Sequence, residues 1–371
     1  MRASRASAAT LGRRWEEIHH NMLSDAPRIL ISRMSAVGDT ILTLPVACAL
    51  RRHFPNAYLG WVVESKAASV VADHDCLDEV IVLDRGWFTS PRGIADARRR
   101  LRRARFEVAV DCQSLTKSSV AGWLAGARLR IGSRGKHGCE LSPFLNNALL
   151  RPTETHLAAR SLELLCQLGI VKPDIEWRFP IGVAARRKAR ELAEVGQLAA
   201  GYVVINPGAT WNSRLWDMER FGAVARHLGD RHRLSSLVVW GNDRDHQLAE
   251  QIVASSGGHG VLAPPTDLHE LAAVIERGQL FISSDTGPLH LAVAVGTPSI
   301  SLHGVTRPED SGPFGDGHIA IQAQYDAGTR RQRRSADNRA MLQITPEMVC
   351  LACDTQYDVT RRRAAKGDDA A

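Results

Sequence analysis

Apolar runs alternate with helical stretches along the first half of the chain. The apolar runs predict strands at residues 28–32, 58–64, 79–84 and 107–112. A helix is predicted at residues 40–54, after the loop that follows the first strand. Nearly continuous apolar strands separated by helices are typical of a parallel sheet covered on both faces. The first half of the chain is therefore expected to form a doubly wound α/β domain.

The same alternation begins again after Pro180. Strands are predicted at residues 202–205, 236–240, 261–262, 280–283 and 299–303, and helices at 184–199, 217–229, 245–255, 268–277 and 288–295. Pro173 and Pro180 interrupt the pattern at residues 173–182, which are the expected linker. Ligands of open α/β sheets bind at the carboxyl ends of the strands. The pattern predicts two such sheets, an arrangement that suits enzymes that hold an acceptor on one domain and a nucleotide donor on the other.

Length and composition agree with two globular domains. The chain has 371 residues, of which 44% are hydrophobic and 23% charged. No apolar run reaches the roughly 18 residues that a membrane span needs. Seven scattered cysteines favour reduced thiols and a cytoplasmic location. Cys350 and Cys353 form a lone CxxC, which favours a chance pairing on a helix face over a metal site.

Four segments follow from these patterns. Residues 1–26 lack the apolar core of a secretory signal and are expected to be a disordered extension. Residues 27–177 are the first domain and residues 178–325 the second. Residues 326–371 are expected to be a polar and basic loop, at 326–339, followed by a C-terminal helix with a tail.

The positive charge is confined to the first half. Residues 1–177 hold 25 Lys and Arg against 18 Asp and Glu, whereas residues 178–371 hold 22 of each. A basic half suits an acidic substrate, anionic lipid or nucleic acid. Six of the arginines lie at residues 96–105. An ordinary solvated helix face is the favoured interpretation of this cluster, and contact with anionic headgroups is the alternative.

Candidate chemistry in the first half follows two of the predicted strands. Ser35, Gly38 and Asp39 lie in the loop after the first strand, where Gly38 allows close approach of a ligand. Asp39 falls where a helix N-cap belongs, so capping and catalysis both stay open from its position alone. Gln113 and Lys117 follow the 107–112 strand, and Lys117 could meet an anionic acceptor.

Candidate donor-binding residues follow strands of the second half. Asp285, Thr286, Gly287 and His290 lie at a strand end, where free amides at the next helix start suit a pyrophosphate. Their predicted helix has Pro288 as its first residue.

Three more groups of candidate residues lie elsewhere in the second half of the chain. Asn206, Gly208 and Thr210 follow another strand, and Arg214 could hold a diphosphate through two hydrogen bonds, although a solvated surface Arg is the commoner case. Asp243 and Asp245 form a DxD, a weak metal signal whose context favours ribose or base recognition.

Taken together, these motifs resemble a known family. The ordered set SxxGDxxLTLP, DxQxLxKS, NPGA, RLWDMERF and DTGPLHLAxAxGTP is similar to the ADP-heptose:lipopolysaccharide heptosyltransferases, glycosyltransferase family 9. The resemblance covers about residues 28 to 325. The WVVE segment at 61–64 and the stretch at 156–169 look closest to the type I enzymes, which add the first heptose to the Kdo region of lipid A.

The resemblance implies a GT-B fold, with two doubly wound Rossmann-like domains facing a central cleft. It implies inverting, metal-independent transfer from ADP-L-glycero-D-manno-heptose to the Kdo and inner-core region of lipopolysaccharide, without a cofactor. Asp39 would be the general base, and Arg214 would stabilise the leaving diphosphate. The implied binding residues are Ser35, Gly38, Gln113 and Lys117 for the acceptor, and Asn206, Gly208, Thr210, Asp245, Asp285, Thr286, Gly287 and His290 for the donor.

Two departures from the family pattern concern the donor side. The family usually has Lys where this chain has Arg214, and Pro where it has Asp217. The usual cysteine-bearing segment near the C-terminus is replaced by the Arg-rich stretch at 326–339. The donor sugar is therefore open, as are the heptose position, the exact acceptor glycan and the oligomeric state.

Three other functions stay open at this point. They are transfer from another nucleotide sugar, nucleotide-sugar epimerisation, and non-catalytic binding of a nucleotide sugar. A dinucleotide dehydrogenase is disfavoured because no GxGxxG follows the first strand. A nucleic-acid partner is not expected. The resemblance and the charge together predict a cytoplasmic protein that can contact the anionic inner face of the cytoplasmic membrane.

Overall fold

The computed structural model describes residues 24–194 and 196–368, with side chains up to residue 360. Contacts divide the chain into two compact units, the first ending at Pro180 and the second beginning at Ile181. This division lies within the predicted linker, three residues beyond the predicted boundary. Residues 1–23 of the expected extension lie outside the described residues, and Ser24 donates its N–H and hydroxyl to the Glu107 carboxylate.

The first unit contains one parallel six-stranded sheet, with strand order β3-β2-β1-β4-β5-β6. Its strands are β1 Arg28–Ser32, β2 Tyr58–Glu64, β3 Glu79–Leu83, β4 Val108–Asp111, β5 Leu129–Ser133 and β6 Ala148–Leu150. The sequence predicted the first four. It missed β5 and β6, which form the edge of the sheet and whose runs are short or interrupted by Arg130 and Gly132.

Helices cover both faces of this sheet, and they are α1 Val37–Ile41, α2 Leu44–His53, α3 Ala68–Val71, α4 Pro91–Arg103, α5 Thr116–Ala125, α6 Ser142–Leu145 and α7 Leu157–Glu163. The single helix predicted at residues 40–54 is therefore wrong. It is two helices separated at Leu42 and Thr43, and the second carries Pro45 in its first turn. Proline is tolerated there because the amides of the first turn have no partner within the helix.

The second unit repeats the design, with strand order β12-β11-β10-β7-β8-β9 in a parallel sheet. Its strands are β7 Tyr202–Asn206, β8 Ser235–Val238, β9 Gly260–Leu262, β10 Leu280–Ser284, β11 Ser299–Leu302 and β12 His318–Ile321. The sequence predicted all but β12, the edge strand, whose side chains are mostly half-exposed.

The helices of the second unit are α8 Val183–Ala193, α9 Met218–His232, α10 Asp243–Ser255, α11 Leu268–Arg277, α12 Gly287–Ala294, α13 Pro308–Ser311, α14 Arg330–Ser335, α15 Arg339–Leu342 and α16 Pro346–Asp368. The loop predicted at 326–339 is wrong in part, because α14 lies within it. A capping box at Thr329 and Gln332 begins α14. Cys350 and Cys353 lie on α16, and Cys353 is buried in the core of the unit.

Both sheets have the same connectivity. In each sheet, the first strand of the unit lies between the second and the fourth. The direction in which strands are added therefore reverses between β1 and β4 in one sheet and between β7 and β10 in the other. Ligands bind at such switch points, beyond the carboxyl ends of the strands. No helix among the described residues is long and apolar enough to cross a membrane.

Candidate functional sites at the two switch points

The loop after β1 presents a carboxylate at the edge of the first sheet. Asp39 lies in the first turn of α1, and its Oδ2 is 2.6 Å from Nη2 of Arg33. Arg33 is buried and also donates Nη1–H to the carbonyl of Cys112 at 2.9 Å. The Asp39 side chain is 41% exposed. Arg33 therefore fixes the orientation of one oxygen of Asp39, while the carboxylate stays accessible to a ligand.

Capping does not explain Asp39. The N-cap residue of α1 is Ala36, and no side chain caps this helix. Asp39 lies three residues later, inside the helix, and the structure records Arg33 as its side-chain partner. The N-cap interpretation was wrong because α1 begins earlier than the sequence predicted.

Three of the residues predicted for the acceptor meet beside this carboxylate. The hydroxyl of Ser35 accepts from Nζ of Lys117 at 3.2 Å and from Nε2 of Gln113 at 3.4 Å. The fourth, Gly38, lies in the same turn as Asp39. Lys117 also pairs with Glu64 at 2.8 Å, so part of its charge is already neutralised.

Asp111 supports this edge from the interior. It ends β4, is buried, and accepts hydrogen bonds from Ser119 Oγ at 2.5 Å and Asn146 Nδ2 at 3.0 Å. Burial raises the pKa of Asp111, although these hydrogen bonds act in the opposite direction. It also accepts from the backbone N–H of Ser114 at 2.8 Å, so it fixes the loop that carries Gln113.

The switch point of the second sheet is built on a buried carboxylate. Arg214 Nη1 lies 3.0 Å from the carbonyl oxygen of Asp285 and 3.4 Å from its Oδ2. His290 Nε2 is 4.0 Å from Oδ1 of the same residue. The guanidinium of Arg214 also stacks on the ring of Trp211, with 4.0 Å between guanidinium carbon and ring centroid. These contacts hold Arg214 and His290 in place.

Electrostatics keep Asp285 ionised despite its burial. Burial alone would raise its pKa, but Arg214 first, and then His303 and His290, hold the pKa below its usual value. Burial lowers the pKa of His303 to about 4, so this imidazole is neutral at pH 7. Arg214 therefore supplies the lasting positive charge beside Asp285.

The loop after β7 is tied to the loop after β10. Asn206 Nδ2 donates to the carbonyl of Gly208 at 3.2 Å and to Thr286 Oγ1 at 3.4 Å. Thr286 is the N-cap residue of α12, and its side chain does not cap the helix. The helix begins at Gly287, so Pro288 is its second residue rather than its first. Its leading amides are available to an anionic group.

A cavity of about 440 Å³ in the second unit contains most of the predicted donor residues. Those that line it are Asn206, Gly208, Thr210, Asp245, Thr286 and Gly287. Asp245 is fixed by Asn242, whose Nδ2 lies 2.8 Å from Oδ2, and burial raises its pKa. A Cβ added to Gly208 would lie 2.7 Å from the Asp245 carboxylate, so this position requires glycine. Arg244 and Trp240 complete the wall.

The DxD motif lies on the first turn of α10, where acidic residues are favoured by the helix N-terminus.

Two groups of three side chains that could hold a metal ion occur among the described residues. One is His74, Asp75 and Cys76, and the other is His227, His232 and Asp354. Neither group includes Asp243 or Asp245.

Sequence reasoning missed three residues of these sites. Arg33, Glu64 and His303 pair with or lie beside Asp39, Lys117 and Asp285. Their positions are the only signal in the sequence: Glu64 ends a strand, His303 directly follows one, and Arg33 begins the loop that leads to Asp39.

Comparisons with known proteins agree with this arrangement. The sequence model of glycosyltransferase family 9 (heptosyltransferase) matches residues 94–340, more than half of the chain. Lipopolysaccharide heptosyltransferase 1 of Pseudomonas aeruginosa is 26% identical over 307 residues, which cover 80% of this chain and 84% of the relative.

Two solved structures share the fold. The glycosyl transferase family 9 structure from Veillonella parvula has a TM-score of 0.78 at 24% identity, covering 91% of this chain and 98% of its own. E. coli heptosyltransferase WaaC with ADP-2-deoxy-2-fluoro heptose has a TM-score of 0.70 at 22% identity, covering 88% and 99%. The two doubly wound sheets are thus those of a GT-B fold. The chain belongs to glycosyltransferase family 9, the heptosyltransferases.

Proposed function

We propose that this enzyme transfers heptose from ADP-L-glycero-D-manno-heptose to the Kdo and inner-core region of lipopolysaccharide. One observation carries the proposal. An oriented, half-exposed carboxylate lies at the switch point of one unit, and a cation beside a free helix start lies at the switch point of the other. Glycosyl transfer needs a base for the acceptor and a stabilised diphosphate leaving group. The names of the relatives support heptose as the sugar and lipopolysaccharide as the acceptor, and the resemblance of the motifs supplies the configuration of the donor and the Kdo region.

On the acceptor side, the unpaired oxygen of Asp39 takes the proton of the attacking hydroxyl. Arg33 holds the other oxygen at 2.6 Å, which restricts the direction in which the carboxylate points. Ser35, Gly38, Gln113 and Lys117 are the proposed acceptor contacts. Lys117 shares its charge with Glu64, so an acceptor carboxylate would have to compete with Glu64 for Lys117.

On the donor side, the bond between the anomeric carbon and the ADP oxygen breaks as the acceptor oxygen attacks from the opposite face. The configuration at this carbon is therefore inverted. Arg214, the amides of Thr286 and Gly287, and His290 stabilise the negative charge that collects on the departing diphosphate. In this proposal no metal ion is required, because Arg214 and the helix start supply the positive charge.

The nucleoside is proposed to occupy the cavity beside Asp245. The carboxylate of Asp245 is partly buried and fixed by Asn242. A fixed acceptor group of this kind suits the hydroxyls of a ribose or the amino group of a base. Asn206, Gly208 and Thr210 are the proposed contacts between this cavity and the diphosphate.

A transfer assay tests the function directly. ADP-heptose, ADP-glucose and UDP-sugars are each paired with Kdo-lipid A and with truncated cores, and products are identified by mass and by anomeric configuration. We expect inverted heptose transfer that depends on Kdo. Turnover of another nucleotide sugar in preference to ADP-heptose would show that the donor site with Arg214 takes a different sugar nucleotide. Conversion of the donor without an acceptor would indicate an epimerase or hydrolase.

We also infer a cytoplasmic location with peripheral contact at the inner face of the cytoplasmic membrane. The acceptor is a membrane lipid, and the first 177 residues carry the whole net charge of +7. Basic residues near an anionic leaflet are attracted to it, within about a Debye length. Fractionation of cells at low and high salt tests this, with release by salt as the expected result.

A further inference from the structure

Helices α4 and α5 of the first unit form a surface that the proposed chemistry does not use. They pack against each other and leave a shallow concavity of about 660 Å³ on the outside. Its floor is apolar and its rim is basic. The residues that line it are Pro91, Ile94, Ala95, Arg98, Arg99, Arg102, Trp123 and Leu124.

Trp123 is the most conspicuous member of this surface. It is 56% exposed, whereas its neighbours Ala121, Gly122 and Leu124 on α5 are buried. An exposed tryptophan in an apolar concavity with polar edges is typical of a surface that contacts a partner or a membrane. Tryptophan in particular is enriched at the boundary between lipid headgroups and acyl chains, because its ring is amphipathic.

The arginines around Trp123 are largely uncompensated. Three arginines line the concavity with Trp123: among the described residues Arg98 and Arg102 form no ion pair with an acidic side chain, and Arg99 pairs with Asp96. Arg102 instead donates to the carbonyl of Leu124 at the end of α5. The surface therefore has a net positive charge that is available to an anionic partner.

A second basic helix shows that composition alone does not produce such a surface. Helix α8 carries Arg186, Arg187 and Lys188 and exposes 86% of Val183. There, however, Arg186 pairs with Glu276 at 2.8 Å, Lys188 pairs with Glu270, and Arg187 lies 3.8 Å from Glu191. Three of the four cations of α8 are thus paired with acidic side chains of the second unit, and α8 provides a matched control.

We propose that the α4–α5 surface docks on a bilayer of anionic phospholipid. Trp123 enters the boundary between headgroups and acyl chains, and the arginines bind phosphates while their aliphatic stems lie along the apolar floor. A second copy of the chain is a poor occupant. A symmetric contact would place these arginines against their own counterparts without acidic partners.

The surface shares helix α5 with the proposed acceptor site. Lys117 and Trp123 lie on the same helix, six residues apart, which corresponds to about 9 Å along the axis. Docking would thus hold the carboxyl edge of the first sheet close to the bilayer that contains the acceptor. This use of the surface rests on the proposed function, but docking itself depends only on Trp123 and the arginines.

Sedimentation with vesicles tests the proposal. The full chain is mixed with phosphatidylcholine vesicles that contain or lack phosphatidylglycerol, at low and high salt. The variants are Trp123→Ser, Trp123→Phe, and the pair Arg98→Gln with Arg99→Gln. The control combines Val183→Ser with Arg187→Gln on α8. Quenching by brominated acyl chains is measured on the same samples.

We expect Trp123→Ser to weaken binding to anionic vesicles roughly ten-fold at both salt concentrations, since insertion is apolar. The Arg98 and Arg99 pair should lose roughly ten- to thirty-fold at low salt and show a shallower salt dependence. Trp123→Phe should keep most of the binding and lose the quenching by brominated lipid. The α8 control should bind as wild type does.

Equal vesicle binding by wild type, Trp123→Ser and the arginine pair would overturn the proposal. So would a concentration-dependent dimer that Trp123→Ser dissociates and that does not bind vesicles, since the surface would then be an interface between copies. Donor binding and transfer to a deacylated, soluble acceptor are measured on every variant and should be unchanged. If the wild-type protein binds vesicles but transfers no heptose, the proposed function is refuted and the docking surface still stands.

Discussion

The two units share one strand order but hold their key carboxylates in opposite environments. Asp39 in the first unit has a side chain 41% exposed, and Arg33 orients it. Asp285 in the second has a side chain only 4% exposed and keeps its charge because Arg214 lies beside it. An exposed carboxylate can accept a proton from a substrate, whereas a buried one mainly fixes the cation next to it. The same topology thus holds one carboxylate accessible and the other buried beside a cation, as the proposed roles of base and charge-stabilising site require.

Removal of Asp39 is expected to have the largest effect on transfer. Asp39→Ala should reduce turnover by about 10²–10⁴-fold, because the proposed general base is lost. Donor affinity should be unchanged, since the donor residues belong to the other unit. Turnover and ADP affinity by calorimetry are the measurements, with Asp39→Asn as an isosteric control. A variant that retains more than a tenth of wild-type turnover would remove Asp39 from the mechanism.

Arg214→Ala should affect both chemistry and stability of the second unit. Loss of a positioned donor at a developing charge costs about 10²–10³-fold in turnover. The buried Asp285 would also lose its cation, at a cost of about 3–5 kcal/mol in the free energy of unfolding. Turnover and urea denaturation measure the two effects. Arg214→Lys keeps the charge and should recover most of the stability; if it is as unstable as Arg214→Ala, charge pairing is not what holds Asp285.

Substitution of four arginines of α4 should raise the KM for the acceptor and leave the KM for the donor unchanged. Replacement of Arg98, Arg99, Arg102 and Arg103 by Gln removes about 1 kcal/mol of membrane attraction per residue. The KM for a membrane-embedded acceptor should therefore rise by up to roughly 10³-fold at low salt, and the difference should shrink as salt screens the charges. The KM for ADP-heptose is the internal control. An unchanged acceptor KM would leave the cluster as a solvated helix face.

His303 should give the second unit a dependence of stability on pH. The unfolded imidazole has a pKa of 6.5 and the buried one about 4, so the unfolded state binds more protons between these values. Stability should therefore fall as pH falls from about 6.5 to 4, by up to about 3 kcal/mol. His303→Gln should flatten this slope when thermal unfolding is measured across this pH range. Parallel slopes for wild type and His303→Gln would contradict the assignment.

Chelation should have the smallest effect of all. Asp243 and Asp245 belong to none of the three-residue metal-binding groups among the described residues, and Arg214 can neutralise the diphosphate. Turnover in EDTA should equal turnover in buffer. If EDTA stops the reaction and Mg²⁺ or Mn²⁺ restores it, the DxD motif has a role and the metal-independent mechanism is wrong.

Much of the fold was predictable because its central strands are uniformly apolar. Strands β1, β2, β4, β7 and β10 were all predicted, and each is almost fully buried. Strands β5, β6 and β12 were missed because β5 is interrupted by Arg130 and Gly132, β6 has only three residues, and β12 is mostly half-exposed at an edge of its sheet. Helix α14 was missed although its capping box was legible in the sequence, because its interior is basic throughout.

The candidate site was predictable only as a set of loops. The sequence alone determined which loops follow strands, and therefore that Asp39, Gln113, Asn206 and Asp285 lie at carboxyl edges of their sheets. Only the tertiary structure decided which side chains meet there. Arg33 pairs with Asp39 because the loop after β1 folds back on itself. Glu64 pairs with Lys117, and His303 lies beside Asp285, because the strands of each sheet bring residues that are distant in sequence to one edge.

The same distinction applies to charge. The sequence determined that the first half is basic and that α4 and α8 both carry clusters of basic residues. The tertiary structure decided that Arg186 and Lys188 of α8 meet Glu276 and Glu270. Arg98 and Arg102 of α4 meet no acidic partner among the described residues and line a concavity with the exposed Trp123. The physical reason is that composition fixes how much charge a segment carries. Its compensation depends on which side chains the fold places within a few ångströms of it.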